Sequence, residues 1–301
     1  MNDSARMTSP ILHSIGIALV LAASLVLAPP AGAGIPGPTE SLGSAGGFEY
    51  LKATFPVDET QAGATVACDE GEGVTGGGGS ISGSGANAAL NATYPSTSEL
   101  FFGEGWIAEG SASSGARTVT TYAICRGDPI GFSNGTGNLD AAGGAFDMTT
   151  DAQGDSFKQV IFGVQGSGGD VRILQLRPAT DGLSWTTTIQ NFAGESAQYT
   201  EWYVGNPALD PVLRQSDAIT VKPGDTGKAT ARCKGGEAVT AGGLFSALGG
   251  EPRRDTWATS TRPYDSKDNR KTPDDGWTIK VQNGRDTGKT KIAAYAVCQE
   301  K

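Results

Sequence analysis

The chain has 301 residues, a net charge of −9 at neutral pH and a single histidine, and 45 of its residues are glycine. The negative charge argues against a nucleic-acid partner for the chain as a whole, because nucleic acids are bound by basic surfaces. Abundant glycine with few long aliphatic runs predicts strands and turns rather than helices.

The first 33 residues are predicted to form a secretory signal peptide. An almost unbroken apolar run covers residues 11–28, two prolines end it, and an Ala-Gly-Ala cleavage site follows at 31–33. The alternative is an uncleaved membrane anchor, because the run nearly reaches the length that spans a bilayer. We therefore expect a secreted, extracellular protein, or one attached to the cell surface, that contacts a membrane only if this segment is retained.

Cleavage of the signal peptide removes the only histidine, His13. A mature chain without imidazole has no Ser-His-Asp or Cys-His catalysis and no histidine-ligated metal. The acidic cluster at 265–275 could offer oxygen ligands to Ca²⁺, but it lacks EF-hand spacing and is interspersed with basic residues, so a solvated loop is favoured. We expect no cofactor and no metal site. Paired carboxylates, as in glycoside hydrolases, are the conventional catalytic groups that are left, and the sequence singles out no such pair.

Two stretches of the chain carry the same landmarks in the same order, which indicates an internal repeat. Residues 68–125 read C-x-x-G-x-x-V-T-G-G-G, then Tyr-Pro, Gly-Trp and Tyr-Ala-Ile-Cys. Residues 233–298 read C-x-x-G-x-x-V-T-A-G-G, then Arg-Pro, Gly-Trp and Tyr-Ala-Val-Cys. A degenerate copy between them keeps an Arg-Pro pair, Trp185 and a Trp-Tyr-Val-Gly ending, but has no cysteine.

Short β-rich segments, divided by turn clusters about every ten residues, predict antiparallel sandwiches. The predicted fold is all-β, with three tandem small antiparallel β-sandwich repeats at 45–127, 140–208 and 215–301. Residues 34–44, 128–139 and 209–214 are predicted to be linkers.

The cysteines are predicted to form one disulfide within each of the two complete copies. Four cysteines allow three pairings, but the degenerate copy lacks both cysteines where the other copies keep both. This joint presence and absence favours Cys68–Cys125 and Cys233–Cys298, and such pairs are oxidised in secreted proteins. Each disulfide closes a loop of about 60 residues and stabilises the fold by about 4 kcal/mol through loop entropy.

A G-x-G-x-x-G pattern occurs at Gly71, Gly73 and Gly76. A dinucleotide-binding site also needs a strand before the pattern and a helix after it, and no helical periodicity follows. The third copy has Ala238 where Gly73 stands. The glycines are therefore predicted to serve a turn and a strand whose backbone is crowded by its neighbours.

Two groups of residues are singled out as structural or ligand-binding. The tryptophan of each copy is predicted to be a core anchor rather than a sugar-stacking residue: Trp106, Trp185 and Trp277. Residues 68–125 have one base against six acids, whereas 233–298 have eleven bases against eight acids. The basic excess lies in the longer middle of the third copy, and its candidate ligand-binding residues are Arg253, Arg254, Trp257, Arg262, Arg270 and Lys271.

The motif C-x-x-G-x-x-V-x-G-G-G, then Ser/Thr-x-Pro, Gly-Trp and Tyr-Ala-x-Cys, resembles a repeat unit of uncharacterised secreted proteins from actinobacteria and other bacteria. The resemblance covers residues 50–125 and 215–298 and, loosely, the middle copy. It implies an extracellular β-repeat protein, and it carries no catalytic residue to this chain.

We expect a non-catalytic secreted or cell-surface protein with a binding or surface-structure role. Its expected partner is an anionic polymer, a glycan or a cell-wall component. The alternative is a carboxylate-dependent, glycosidase-like extracellular hydrolase.

Overall fold

A computed structural model describes the chain over these residues: 38–57, 62–82, 88–96, 105–112, 115, 117–127, 131–139, 145–151, 160–167, 171–179, 184–192, 195–205, 210–248, 251–252, 255–266 and 271–301. All regular structure in these residues is β-strand, which confirms the predicted all-β class. The predicted signal peptide lies outside the described residues.

The strands fall into three consecutive chain segments, preceded by one additional strand, β1 (Glu40–Ala45). Segment 1 contains β2 (Phe48–Val57), β3 (Ala62–Ala67), β4 (Gly73–Ile81), β5 (Ala88–Ser96), β6 (Gly105–Ala112) and β7 (Arg117–Arg126). Segment 2 contains β8 (Gly131–Leu139), β9 (Ala145–Asp151), β10 (Val160–Ser167), β11 (Val171–Pro178), β12 (Ser184–Asn191) and β13 (Ala197–Gly205). Segment 3 contains β14 (Val212–Gln215), β15 (Ile219–Val221), β16 (Thr226–Arg232), β17 (Glu237–Leu248), β18 (Glu251–Pro252), β19 (Thr256–Tyr264), β20 (Gly276–Asn283) and β21 (Thr290–Glu300).

Every sheet is shared between two segments. Sheet I has the order β1-β2-β7-β4-β19-β20-β16 and joins segments 1 and 3. Sheet II has the order β3-β6-β5-β10-β13-β8 and joins segments 1 and 2. Sheet III has the order β14-β21-β17-β11-β12-β9 and joins segments 3 and 2, with β15 and β18 paired at its side. The sequence predicts a separate sandwich for each copy; the structure instead connects the segments through common sheets.

The connections between segments are short antiparallel pairings at the middle of each sheet. Ser80 and Gly79 of β4 pair with Ser260 and Thr261 of β19 in sheet I. The corresponding pairings join β5 to β10 in sheet II and β11 to β17 in sheet III. Residue periodicity predicts which face of a strand is buried but not which strand lies beside it, so this sharing has no signature in the sequence.

Parts of all three predicted linkers are strands. Residues 131–139 form β8, which pairs with β13 along its whole length, Val212 begins β14, and Glu40 begins β1. The glycine-rich sequence of β8 has low intrinsic strand preference, but the backbone hydrogen bonds to β13 hold it extended.

Both predicted disulfides are present. Cys68–Cys125 and Cys233–Cys298 each join Cα atoms 5.7 Å apart. In each pair the second cysteine lies on the long last strand of its segment, β7 or β21, and is completely buried. Cys68 directly follows β3 and Cys233 directly follows β16, so each bond ties the end of an earlier strand to the last strand of its segment.

Tryptophan rings packed on glycine backbone form the centre of the core. Trp106, Trp185 and Trp277 are 0%, 1% and 0% exposed. A Cβ atom added to Gly77 of β4 would lie 2.2 Å from Cγ of Trp106, and one added to Gly242 of β17 would lie 2.1 Å from Cγ of Trp277. The run of glycines in β4 is thus needed for close packing. Gly71 before it has φ +87° in a turn, as expected of a turn glycine.

The indole N–H groups of Trp106 and Trp277 have the same kind of hydrogen-bond partner, and that of Trp185 differs. Trp106 Nε1 donates to Thr93 Oγ1 at 2.7 Å, and Trp277 Nε1 donates to Thr261 Oγ1 at 2.8 Å. Both threonines lie two residues before the proline that pairs with the tryptophan across the sheet. Leu176 holds that position opposite Trp185, and the buried Trp185 Nε1 has no partner among the described residues.

This difference predicts unequal effects of tryptophan-to-phenylalanine changes. Trp106→Phe and Trp277→Phe remove a buried hydrogen bond as well as ring area, whereas Trp185→Phe removes an unpaired donor. Each change lowers the free energy of unfolding, and we expect the decrease for Trp185→Phe to be about 1 kcal/mol smaller than for either of the others. Urea denaturation of the three variants measures the difference, and equal losses at the three sites would contradict it.

Candidate functional site

The candidate ligand-binding residues from the sequence do not form one surface. Arg253, Arg254 and Arg270 lie outside the described residues. Lys271 is exposed in the connection between β19 and β20, with φ at 59°. Arg262 is half-buried on β19, with its Cζ atom 5.5 Å from the centre of the Tyr122 ring.

Trp257 is not the exposed stacking residue that the sequence suggests, because it is only 4% exposed. Its Nε1 donates to the carbonyl oxygen of Ala88 in segment 1 at 3.0 Å. The guanidinium of Arg172 lies 4.3 Å from the ring centre, and Phe192 contacts the ring edge-on. Trp257 therefore fills the junction where β5, β11 and β19 converge, and it has no open face for a ligand.

A basic surface does exist, on one face of sheet I. Strand β16 alternates between buried small residues and solvent-facing polar residues, and its solvent-facing positions include Lys228 and Arg232. The antiparallel register places Lys228 opposite Lys280 of β20, and Arg262 and Tyr264 of β19 continue the same face. We call this surface the basic face, defined by Lys228, Arg232, Arg262, Tyr264 and Lys280.

Tyr264 lies among the cations of the basic face. The Lys228 Nζ atom is 5.8 Å and the Arg232 Cζ atom 5.6 Å from the centre of its ring. One Arg232 nitrogen also donates to the Tyr264 hydroxyl at 3.4 Å. Cations over an aromatic ring are weakly attracted to it, which positions both side chains without neutralising their charge.

The positive charge of the basic face is not balanced by acids on the same strands. The solvent-facing positions of β16, β19 and β20 include no Asp or Glu. None of the four cations forms an ion pair with a residue in the described ranges. Lys228 and Lys280 are both exposed and directly opposite each other, an arrangement that costs stability.

The matching position of sheet II has the opposite character. Glu109 of β6, opposite Gly63 of β3, is 3% exposed and accepts a hydrogen bond from the Tyr94 hydroxyl at 2.8 Å. Burial, together with the charge and hydrogen bond of Glu109, raises the pKa of Tyr94. Trp202 stacks on Tyr94 with ring centres 6.0 Å apart. Sheets I and II therefore differ in charge at corresponding strands.

Four of the five residues of the basic face were not among the sequence candidates. The alternation T-G-K-A-T-A-R in 226–232 and W-T-I-K in 277–280 is a signal that places Lys228, Arg232 and Lys280 on strand faces. What the sequence does not reveal is that β16 and β20 are neighbours in the register that opposes the two lysines.

Two other groups bring acidic or sulfur side chains together. Cys233, Glu237 and Cys298 bring one potential ligand atom each within 4.8 Å of the others, but both sulfurs are bonded in the disulfide. Around Glu72, burial raises its pKa, and the charges of Glu49 and Asp69 raise it further. The hydrolase alternative stays a prediction.

No protein-family model matches the chain, and no curated protein matches it. A search of the described residues for a helix able to span a membrane found none.

The opposed lysines predict a stabilising substitution. Lys280→Thr removes the repulsion with Lys228, so the free energy of unfolding should rise by about 0.2–1 kcal/mol at low salt. Screening should erase most of this gain at about 1 M salt, where the Debye length falls to about 3 Å. Lys291→Thr, at an exposed β21 position opposite Thr220, is the matched control. A gain of equal size in the control would contradict the repulsion.

The raised pKa of Glu72 predicts a pH-dependent effect on stability. The folded state binds the proton of the Glu72 carboxyl group more tightly than the unfolded chain does, so ionisation of Glu72 opposes folding at neutral pH. Glu72→Gln should therefore raise the thermal midpoint at pH 7, and the gain should vanish below about pH 4, where the unfolded carboxyl is also protonated. Glu70→Gln, at an exposed neighbour, is the control. A gain that persists at pH 3.5 would refute the electrostatic cause.

Proposed function

We propose that the chain is a secreted, non-catalytic binding protein that holds an anionic polymer on the basic face of sheet I. The observation that carries the proposal is the direct opposition of Lys228 and Lys280, with two arginines on the same face and no acid among them. The repulsion between the lysines destabilises the folded state. An anionic group bound between them converts that repulsion into two attractions.

The placement of the basic face supports binding. Its side chains extend from neighbouring hydrogen-bonded strands rather than from loops, so their spacing is set by the sheet. The chain as a whole carries −9, and a basic face on such a molecule attracts anions in one orientation. The two disulfides are consistent with an extracellular location.

A repeat origin of the scaffold is part of the proposal. The three sheets have the same order of strands when each strand is identified by its position within its own segment. Each segment also pairs its tryptophan with a proline on the neighbouring strand. We infer that the segments are diverged copies of one six-stranded unit. The motif shared with secreted bacterial repeat proteins supports the same origin.

The proposal predicts salt-sensitive binding that depends on the basic face. We expect the full chain to bind immobilised heparin at low ionic strength and to be released as the Debye length falls from about 10 Å to about 3 Å. Lys280→Thr and Lys228→Thr should each weaken binding about fivefold, because each removes an exposed charge contact worth about 1 kcal/mol. Surface plasmon resonance over a salt series measures both effects.

The control is Lys291→Thr, which changes the net charge by the same amount away from the basic face. The full chain is used because β19 and β20 share sheet I with segment 1, so segment 3 alone lacks part of its sheet. Equal weakening by all three lysine variants would mean that net charge, and not this face, governs retention. Absence of binding at low salt would remove the proposed function.

A further inference from the structure

A continuous row of polar side chains crosses sheet I beside the arginines. The strand register joins neighbouring strands at these residues, in spatial order: Lys228, Lys280, Ser260, Ser80, Thr120 and Thr54. Adjacent strands lie about 4.8 Å apart, so six strands make the row about 24 Å long. Its first two members are cationic and its last four carry hydroxyl groups. We call it the cross-strand row.

The hydroxyl half of the row is available for hydrogen bonding. Thr54 is exposed, whereas Ser80 and Thr120 are half-buried. Thr54 Oγ1 and Thr120 Oγ1 lie 3.1 Å apart, so the two hydroxyls share one hydrogen bond and retain further donor and acceptor capacity. This half of the row has no charged member, and the nearby Lys52 of β2 is paired with Glu40 at 3.1 Å.

Ser260 lies where the cationic half of the row meets the hydroxyl half. It is 3% exposed, and its Oγ atom has no partner among the described residues. A buried hydroxyl without a partner destabilises a fold unless something supplies the missing bond. Its neighbours in the row are Lys280 on one side and Ser80 on the other. A ligand that follows the row passes this atom.

Resting on the proposed function, we propose that the ligand is a linear acidic polysaccharide that lies along the cross-strand row, perpendicular to the strands. Its acid groups contact Lys228, Lys280 and Arg262, and its sugar hydroxyls bond to Ser260, Ser80 and Thr120. A sugar chain presents both kinds of group along one backbone. Polyphosphate has no sugar hydroxyl groups, so it gains nothing from the uncharged half of the row.

The test compares a linear uronic-acid polymer with a polymer that has charge alone. Oligomers of polygalacturonic acid of increasing length, and inorganic polyphosphate of matched charge, are titrated into the full chain by calorimetry. The salt dependence of binding should stop increasing at the oligomer length that covers the cations. The affinity of uronic oligomers should continue to rise beyond that length, because the added units contact hydroxyls rather than cations. Polyphosphate should reach its full affinity at the length that covers the cations.

Ser260→Ala separates hydrogen bonding from charge. We expect this substitution to lower the affinity for long uronic oligomers about fivefold, and to leave polyphosphate binding and the salt dependence of binding unchanged. The thermal midpoint of the free protein should stay the same or rise, because an unpaired buried hydroxyl has been removed. Ser111→Ala, at a half-buried serine of β6 in sheet II, is the matched control and should change neither affinity.

The outcomes distinguish this inference from the proposed function. Binding of both polymers with equal length dependence, weakened by Lys280→Thr but not by Ser260→Ala, overturns the polysaccharide assignment and leaves an anion-binding face. Failure of both polymers to bind at low salt overturns both proposals. Loss of long-oligomer affinity in Ser260→Ala, with a stable fold and unchanged polyphosphate binding, supports the polysaccharide along the row.

Discussion

Close packing of tryptophan rings on bare backbone is the constraint on which the other features of the fold depend. Gly77 and Gly242 admit the rings of Trp106 and Trp277 where any Cβ atom would overlap them. The strands that carry these glycines, β4 and β17, are also the strands that pair with a different segment at the middle of their sheets. Ring packing within a segment and pairing between segments therefore meet on the same strands. A side chain added there disturbs both.

Much of the fold was predictable from local patterns, and the rest depended on strand partners. The strand class, both disulfides and the crowded glycine strand follow from composition, from joint presence of cysteines and from the absence of helical periodicity. The shared sheets do not, since the pairings between segments involve few residues, such as Ser80 with Ser260, and leave no periodic signal. The glycine-rich strand β8 was missed for a related reason, because its hydrogen bonds to β13 and not its own residues keep it extended.

The candidate site was also predictable only in part, because strand pairing determines which residues it brings together. A basic surface in the third copy was expected, and Arg262 belongs to the one that is present, but the charge was assigned to residues close together in sequence. The structure assembles the basic face from three strands, with Lys228 about 50 residues from Lys280 along the chain and opposite it across the sheet. Trp257 was misjudged because a tryptophan outside the repeat pattern resembles an added functional residue. Its contacts with Ala88, Arg172 and Phe192 come from two other segments.

The junction at Trp257 also has a consequence for the number of ligands that one molecule can hold. Ala89, Arg172 and Trp257 each lie six residues before the proline of their own segment, and Arg172 stacks on the Trp257 ring in the space where their strands converge. Three identical bulky side chains would compete for that space, and the three segments carry different residues there. The sheets differ in the same way, because sheet I carries the basic face where sheet II has Glu109 at the matching position. On the proposed function such a molecule is monovalent: its one basic face would bind one polymer chain without crosslinking, whereas a symmetric trimer of the basic segment would bind three.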